Sequence, residues 1–264
     1  MEEYIFNKNY FGRDYTFIQV EVEQTFDINY IRNNSIDGII IITDDRNKKI
    51  QDIKNISEFK ELIVLNLNSY CYEKLTDLSN FEKLEYLSFL GKSDSEIPFS
   101  SLESLWCVYL NYDKKSCKSV LYCKNLEYIF IDNYTETSSK DFQKFEKAKR
   151  IGLIKSKVVE FDAIKNMPQL EHIGIGYNLK MESIKWLEDN NSLISVAFQN
   201  CKNIKDWEKI GSLEKIEKLI IENCGELPSL SFLHQLTNLK EIRIIGTTSV
   251  KDGKIKELMK MSKL

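Results

Sequence analysis

One apolar pattern, LxxLxL, recurs along most of this 264-residue chain. Successive copies begin 22, 21, 21, 22, 22, 23, 23 and 23 residues apart. This nearly constant spacing predicts stacked repeats, because one unit of this length cannot bury its own apolar face. The nine copies begin at Leu62, Leu84, Leu105, Leu126, Ala148, Leu170, Leu193, Ile216 and Leu239, and a tenth begins upstream at Ile36.

The segments between these motifs carry apolar residues at every third position. Phe161, Ile164 and Met167 are one example, and they lead directly into Leu170. A period of three is typical of 3₁₀ turns or extended chain and differs from the 3.6-residue period of an α-helix. One segment, residues 138–150, instead predicts a true helix, because Ser138 or Ser139 could cap its amino end.

With its substitutions, the motif resembles the LxxLxLxxN core of the leucine-rich repeat family, in the short, internalin-like bacterial class. The resemblance covers roughly Ile36 to the C-terminus. It implies an α/β repeat solenoid: a leucine-rich repeat horseshoe with a parallel concave β-sheet of about ten strands and short 3₁₀ or coil convex segments. We predict an N-terminal cap of a β-hairpin and a short helix at residues 1–35, repeats at 36–247, and a C-terminal capping helix at 248–264.

The ninth motif position is usually Asn in this family, since the chain bends inward there and buried amide and carbonyl groups need partners. Cys and Thr are small substitutes that tolerate burial. We therefore predict a structural ladder of residues 23 positions apart, namely Asn178, Cys201, Cys224 and Thr247. Tyr and Lys are too large for such a slot, so the earlier turns are predicted to be looser or shifted by one residue. Those turns carry Tyr70, Lys92, Asp113, Tyr134 and Ser156.

The third, fifth and seventh motif positions point away from the core. Aromatic residues collect there in the early repeats, and small residues in the middle ones, which suggests an aromatic wall beside a trough floored by Gly152, Gly174, Gly176 and Ala197. Such a surface is typical of a protein interface. The alternative is that the aromatic rings pack on one another or on an N-terminal loop. The predicted partner-binding residues are Tyr86, Tyr109, Tyr128, Phe130, Asp132, Arg150 and His172.

Few residues suggest catalysis. Cys107 occupies an outward strand position and is predicted to be accessible, but His172 is three repeats away, about 15 Å at ~5 Å per strand. No His, Cys and acidic residues stand at the spacings that metal sites require, and no Gly-rich phosphate loop is present. We therefore predict no enzymatic activity, no cofactor and no metal.

Composition restricts the partners and the compartment. The formal net charge of −3 argues against a nucleic-acid-binding protein, which would carry a basic face. No stretch approaches the ~20 apolar residues of a membrane span, and the N-terminus MEEYIFNKNYF lacks the apolar segment of a signal peptide. We expect a cytoplasmic protein, monomeric alone, whose six cysteines are thiols.

A curved repeat sheet without catalytic chemistry predicts a protein-binding module with its partner on the concave face. Small unsecreted bacterial proteins of this family resemble immunity or antitoxin proteins, so the sharper expectation is a protein that binds and occludes a cognate toxin. The alternative is an intracellular adaptor or effector that scaffolds protein–protein interactions.

Overall fold

The computed structural model describes residues 5–21, 28–42, 49–50, 53–67, 71–72, 74–188 and 190–252. The chain divides into two compact units, Met1–Leu126 and Glu127–Leu264. In both units, strands of equivalent repeats pair side by side, and short convex segments connect them.

The first unit holds nine of the described strands. Six form a sheet in the order β1-β2-β3-β5-β7-β9, in which β1 and β2 are antiparallel and the other pairs are parallel. Strands β4, β6 and β8 form a small second sheet. The strands are β1 (Ile5–Tyr10), β2 (Arg13–Glu21), β3 (Gly38–Ile42), β4 (Lys49–Ile50), β5 (Val64–Leu67), β6 (Cys71–Tyr72), β7 (Tyr86–Phe89), β8 (Lys92–Ser93) and β9 (Cys107–Asn111).

Short helices connect these strands. The α-helices are α1 (Ile28–Asn33), α2 (Lys54–Ser57) and α3 (Lys114–Cys117), and the 3₁₀ helices are Thr76–Asn80, Phe99–Ser101 and Lys118–Tyr122. Helix α3 begins where it does because the Asp113 side chain accepts a hydrogen bond from the Ser116 amide, at 3.0 Å.

The second unit holds eight described strands. Six of them form a parallel sheet in the order β10-β11-β12-β13-β14-β16, and β15 pairs with β17. The strands are β10 (Tyr128–Asp132), β11 (Arg150–Ile154), β12 (His172–Gly176), β13 (Ser195–Gln199), β14 (Lys218–Glu222), β15 (Glu226–Leu227), β16 (Glu241–Ile245) and β17 (Ser249–Val250).

The convex segments of the second unit are 3₁₀ helices, which confirms the prediction made from the period of three. They span Lys140–Lys144, Asp162–Asn166, Lys185–Leu187, Trp207–Ser212 and Ser231–Gln235. The predicted helix at residues 138–150 is wrong. Phe142, Phe145 and Ala148 in that segment are all buried at a spacing of three, so core packing there favours a 3₁₀ turn over the capping signal.

The motif positions form the core. Leu170 and Ile173 are buried, as are the corresponding residues of every repeat from Ile36 to Ile216. The predicted solenoid of parallel strands and 3₁₀ turns is confirmed. The C-terminal capping helix is predicted at residues 248–264, and the structure describes only residues 248–252 of that segment. Ser249–Val250 form strand β17 there, and the rest of the predicted helix lies outside the described residues.

The chain takes the left-handed conformation directly after each strand of the six-stranded sheet in the second unit. The φ angles there lie between 52° and 70°, and the amides of the first five of these residues donate to a carbonyl of the next repeat. Only Asn and Gly adopt this conformation readily. The six residues, each at the eighth motif position, are Asn133, Lys155, Tyr177, Asn200, Asn223 and Gly246.

The next residue in most of these turns is buried and bonds to the neighbouring repeat. The Asn178 amide group donates to the carbonyl of Val158 at 2.7 Å, and its side-chain oxygen accepts from the amides of Lys180 and Met181. The amide of Cys201 donates to Cys224 Sγ at 3.5 Å. These side chains therefore satisfy backbone groups that burial would otherwise leave without partners.

The last member of this ladder differs from the prediction. Thr247 is exposed, and it is Thr248 whose Oγ1 accepts from the Cys224 amide, at 3.0 Å. Asn223 Oδ1 lies where a side chain on Gly246 would be and accepts from the Thr247 amide at 2.9 Å. This bond holds Thr247 at the surface, so the inward turn comes one residue later.

The earlier turns follow the sequence expectation only in part. Lys92 is exposed and Ser93 is buried, so that turn is shifted by one residue as predicted. Tyr134, by contrast, is fully buried against Phe142 at 4.9 Å between ring centroids, so a tyrosine does fill the slot there. Tyr70 lies outside the described residues.

Replacing Lys155 by Asn should stabilise the protein. A lysine in the left-handed region costs about 1–2 kcal/mol that Asn partly avoids, so we expect Lys155→Asn to raise the free energy of unfolding by about 0.5–1 kcal/mol in a urea titration. Lys157→Asn is the matched control, since Lys157 is also exposed but has no positive φ. Equal effects of the two variants would contradict the assignment of strain to Lys155.

Candidate functional site

The face of each sheet that is turned away from the core is called here the open face. In the second unit, the strands pair without any shift between repeats, so equivalent residues form straight rows across that face. The first row contains Tyr128, Arg150, His172, Ser195, Lys218 and Glu241. The second contains Phe130, Gly152, Gly174, Ala197, Ile220 and Arg243, and the third Asp132, Ile154, Gly176, Gln199, Glu222 and Ile245.

Above the second row lies an open cavity of about 530 Å³, the trough. Its floor is Gly152, Gly174 and Ala197, and Phe130 and Ile220 bound its two ends. The trough exists because three successive repeats carry small residues at the fifth motif position. Four strand intervals of ~4.8 Å separate its ends, so it is about 19 Å long.

The glycines of the floor have different surroundings. A Cβ on Gly174 would meet no atom within 4 Å, so the space above it is open. A Cβ on Gly152 would lie 2.7 Å from the Phe130 ring, so that ring covers part of Gly152. Of the predicted floor, Gly152, Gly174 and Ala197 line the trough, whose open part is centred on Gly174. Gly176 does not line it, because it is buried in the third row.

Arg150 and His172 lie side by side at one edge of the trough. The pKa of His172 is lowered, first by partial burial and then by the charge of Arg150, while Glu171 opposes the shift. His172 Nε2 lies 3.8 Å from a Glu171 carboxylate oxygen. A neutral imidazole beside a guanidinium offers this edge of the trough hydrogen-bond donors and positive charge.

The far end of the trough carries paired charges. Glu241 forms ion pairs with Lys218, at 2.7 Å, and with Arg243, at 2.6 Å, and its interaction with Lys218 is the main cause of its lowered pKa. At the opposite edge, burial raises the pKa of Asp132. The predicted contact residues Phe130, Arg150 and His172 thus line the trough, whereas Asp132 is in the third row, beside it.

The open face of the first unit is covered by its own N-terminal hairpin. The Tyr10 ring at the end of β1 stacks on Tyr86 with 4.5 Å between centroids, and the Phe11 ring packs edge-on against Trp106. As a result Tyr86 is only 4% exposed. The structure thus supports the alternative in which an N-terminal segment packs on the sheet, and Tyr86 as an accessible contact residue is wrong.

Glu85 fixes the hairpin on the sheet. Its Oε2 accepts hydrogen bonds from Arg13 at 2.8 Å, from the Tyr15 hydroxyl at 3.2 Å and from Trp106 Nε1 at 3.0 Å. The Arg13 guanidinium also lies 4.1 Å from the centroid of the Trp106 ring. Burial, with a smaller effect of Glu85, raises the pKa of Tyr15 to about 12. One partly buried carboxylate therefore joins two residues of the hairpin to Trp106, which is more than 90 residues away in sequence.

Cys107 is buried as well, so the prediction that it is accessible is wrong. It lies next to Tyr86 in the outward row of the first unit, yet its exposed fraction is 0%. Burial raises the pKa of its thiol, an effect that the Arg13 charge offsets only in part. Sequence position gave the correct direction of the side chain but could not show that the hairpin covers it.

Opening the hairpin should expose Cys107. In the folded protein we expect Cys107 to react slowly with dithionitrobenzoate, because reaction needs an accessible thiolate. Tyr10→Ala, which removes the ring over Tyr86, should accelerate labelling of Cys107 at least tenfold, as read by peptide mass mapping. Tyr122→Ala is the control, because Tyr122 is an exposed tyrosine of the same unit. Rapid labelling of Cys107 in the unmodified protein would contradict the covering role of the hairpin.

The four predicted aromatic residues divide between the units. In the first unit, half-buried Tyr109 lies 5.8 Å from Tyr86 between ring centroids. In the second unit, Tyr128 and Phe130 are half-buried on strand β10. That all four rings form one continuous patch stays a prediction.

Sequence reasoning missed two exposed residues beside the trough's central strand. Tyr177 and Leu179 follow β12 and are 47% and 60% exposed. A signal for Tyr177 was present, since the eighth motif position holds Asn in three of the six repeats of this unit and Tyr is unfavourable there. No comparable signal marked Leu179.

Among the described residues, no group of three or more His, Cys, Asp and Glu could hold a metal ion. Nor does any described helix have the length and apolar character needed to cross a membrane.

Comparison with known proteins gives the fold. No protein-family model and no curated protein sequence matches the chain. Among solved structures, the internalin InlF from Listeria monocytogenes is similar with a TM-score of 0.55 and 20% identity, over 83% of this chain and 71% of that chain. The functional domain of InlJ from the same organism, which includes a cysteine ladder, is similar with a TM-score of 0.50 and 14% identity, over 89% of this chain and 63% of that chain.

These similarities agree with the mostly parallel sheet and the short 3₁₀ turns between its strands. At such low identity they concern the fold alone. The chain has a leucine-rich repeat fold of the internalin-like type.

Proposed function

We propose that this protein is a protein-binding module whose partner occupies the trough of the second unit. The observation that carries the proposal is the open space above Gly174, with Phe130 at one end and Arg150 and His172 along one edge. A recess with an apolar floor and one polar edge suits a protruding element of another protein. In the first unit, by contrast, the hairpin buries Tyr86 and Cys107, two of the residues on its open face.

A binding role also agrees with the chemistry of the trough. Its lining consists of small, apolar and ion-paired residues, and His172 has Arg150 and Glu171 as its charged neighbours. Among the described lining residues, Ser195 lies beside His172 on the next strand, but no hydrogen bond joins the two side chains, so the hydroxyl is not activated by the imidazole. We therefore propose a role in recognition without catalysis or cofactor.

The sharper proposal is that the protein is an immunity or antitoxin protein that occludes a cognate toxin. A rigid, preformed recess favours tight occlusion of one partner, since little conformational entropy is lost on binding. The cytoplasm is the proposed location, because the cysteines whose side chains the structure describes are all free thiols. Adaptor function is the alternative that the same trough would serve.

Filling the trough should abolish partner binding. Gly174→Trp places a large ring in the open space, so we expect at least a hundredfold loss in partner captured from extracts of the source organism, measured by quantitative mass spectrometry. Gly174→Ala is the matched control, because its methyl group meets no atom within 4 Å. If Gly174→Trp is folded and captures the same partner as the unmodified protein, the trough is not the binding site.

The immunity proposal is tested by growth. The protein should restore growth when it is co-expressed with the toxic product of a gene adjacent to its own, and Gly174→Trp should fail to do so while Gly174→Ala succeeds. If no product of an adjacent gene is both toxic and neutralised, the immunity proposal is wrong, and adaptor function becomes the better explanation of a trough that still captures a partner.

A further inference from the structure

The residues at the phenylalanine end of the trough form a small grid. Arg150 pairs with His172, Gly152 with Gly174, and Ile154 with Gly176 on adjacent strands β11 and β12. Neighbouring columns are ~4.8 Å apart, and successive rows on the same face are ~6.6 Å apart. A cationic edge, an open floor and an apolar edge therefore follow one another across about 13 Å.

Cationic side chains outnumber carboxylates in the lining of the trough, with Arg150, Lys218 and Lys240 against Glu217 and Glu241. The two carboxylates among the lining residues, Glu217 and Glu241, are 2.8 Å from Lys240 and 2.7 Å from Lys218. The charge of Arg150 is strong enough at His172 to help lower its pKa. Glu171 reduces this field only partly, because its side chain is 49% exposed and its oxygen is 3.8 Å from the imidazole.

The floor beside this edge suits a flat ring. The backbone amides and carbonyls of Gly152 and Gly174 are within the sheet, so the floor presents little polar surface to an occupant. The Phe130 ring over Gly152 adds an aromatic wall, and Ile154 on the other side is 40% exposed. An aromatic side chain above Gly174 would contact the floor, the Phe130 ring and Ile154.

Given that the trough is the partner site, we propose that its occupant is an internal protein segment that presents an aromatic ring above Gly174 and an Asp or Glu carboxylate to Arg150 and His172. The row spacing places the ring and the carboxylate about 7 Å apart. The segment is internal because the trough continues for two more strands, over Ala197 to Ile220, beyond what one side chain fills. A guanidinium and an imidazole together bind a carboxylate through charge-assisted hydrogen bonds.

The proposal is tested with capped peptides observed by two-dimensional ¹H–¹⁵N NMR on the full chain. The probes are acetyl-Gly-Trp-Asp-Gly-amide and the same peptide with Asn or Lys in place of Asp, and acetyl-Gly-Trp with a free carboxylate tests the chain terminus as an alternative source. We expect the Asp peptide to bind with a dissociation constant in the low millimolar range and to shift the amides of Gly152 and Gly174. The Asn and Lys peptides should bind at least fivefold more weakly, and the free-carboxylate peptide should not exceed the Asp peptide.

Matched variants identify the groups responsible. Arg150→Gln keeps a polar side chain but removes the charge. It should weaken binding of the Asp peptide at least fivefold and leave the affinity for the Asn peptide unchanged. Lys157→Gln is the control, at an exposed lysine outside the lining of the trough, and should alter binding of neither peptide. Gly174→Leu should abolish binding of both peptides. If the NMR spectrum shows that Arg150→Gln does not fold, Arg150→Lys replaces it. This variant keeps the positive charge and should retain the preference for the Asp peptide over the Asn peptide.

Equal binding of the three peptides, a preference for Lys, or the absence of shifts at Gly152 and Gly174 at 10 mM peptide would overturn the proposal. A stronger signal from the free-carboxylate peptide would also overturn it, in favour of a chain terminus. These outcomes are separate from the proposed function: if Gly174→Trp still abolishes partner capture, the trough binds a partner of different chemistry. If Gly174→Trp captures the partner normally, the binding-site proposal itself is wrong.

Discussion

The fold of the second unit depends on one turn repeated after each strand of its six-stranded sheet. A residue in the left-handed conformation redirects the chain, and the side chain that follows it then satisfies backbone groups of the neighbouring repeat. Because the turn recurs at the eighth motif position in each of these repeats, successive strands begin in phase. Strands that begin in phase pair without a shift, and this register is what places Gly152, Gly174 and Ala197 in one line.

The same regularity explains how the two units differ in what they expose. In the second unit, small residues at the fifth motif position open a trough, and no described side chain of that unit fills the space above Gly174. In the first unit, the hairpin packs its aromatic side chains on the sheet, and Glu85 holds it by accepting hydrogen bonds from Arg13 and Tyr15. Burial of Tyr86 and Cys107 stabilises that arrangement, because it removes large apolar surfaces from water.

The sequence predicts the repeats and the inward and outward positions correctly, because both follow from short periods of two, three and about 22 residues. The helix at residues 138–150 fails as a prediction because a local capping signal competes with core packing of Phe142, which the local sequence does not weigh. Thr247 fails because its position depends on the Asn223 side chain, 24 residues earlier. Cys107 and Tyr86 point outward as expected, but their burial comes from a hairpin some 75 to 95 residues upstream. In the candidate site, Phe130, Arg150 and His172 could be found from motif position alone, whereas Leu179 could not.

Because the strands of the second unit pair without a shift, the length of the trough floor is set by the number of repeats that form it. Duplication of one whole repeat would preserve every type of strand-to-strand hydrogen bond and lengthen the floor by one strand interval, ~4.8 Å. Insertion of a single residue inside a strand would instead reverse the faces of all the residues that follow in that strand. Partner specificity in such a scaffold is therefore expected to diverge in evolution by gain and loss of entire repeats and by exchange of the residues at the third, fifth and seventh positions. The turn residues between them are the part of the sequence that any such change must leave intact.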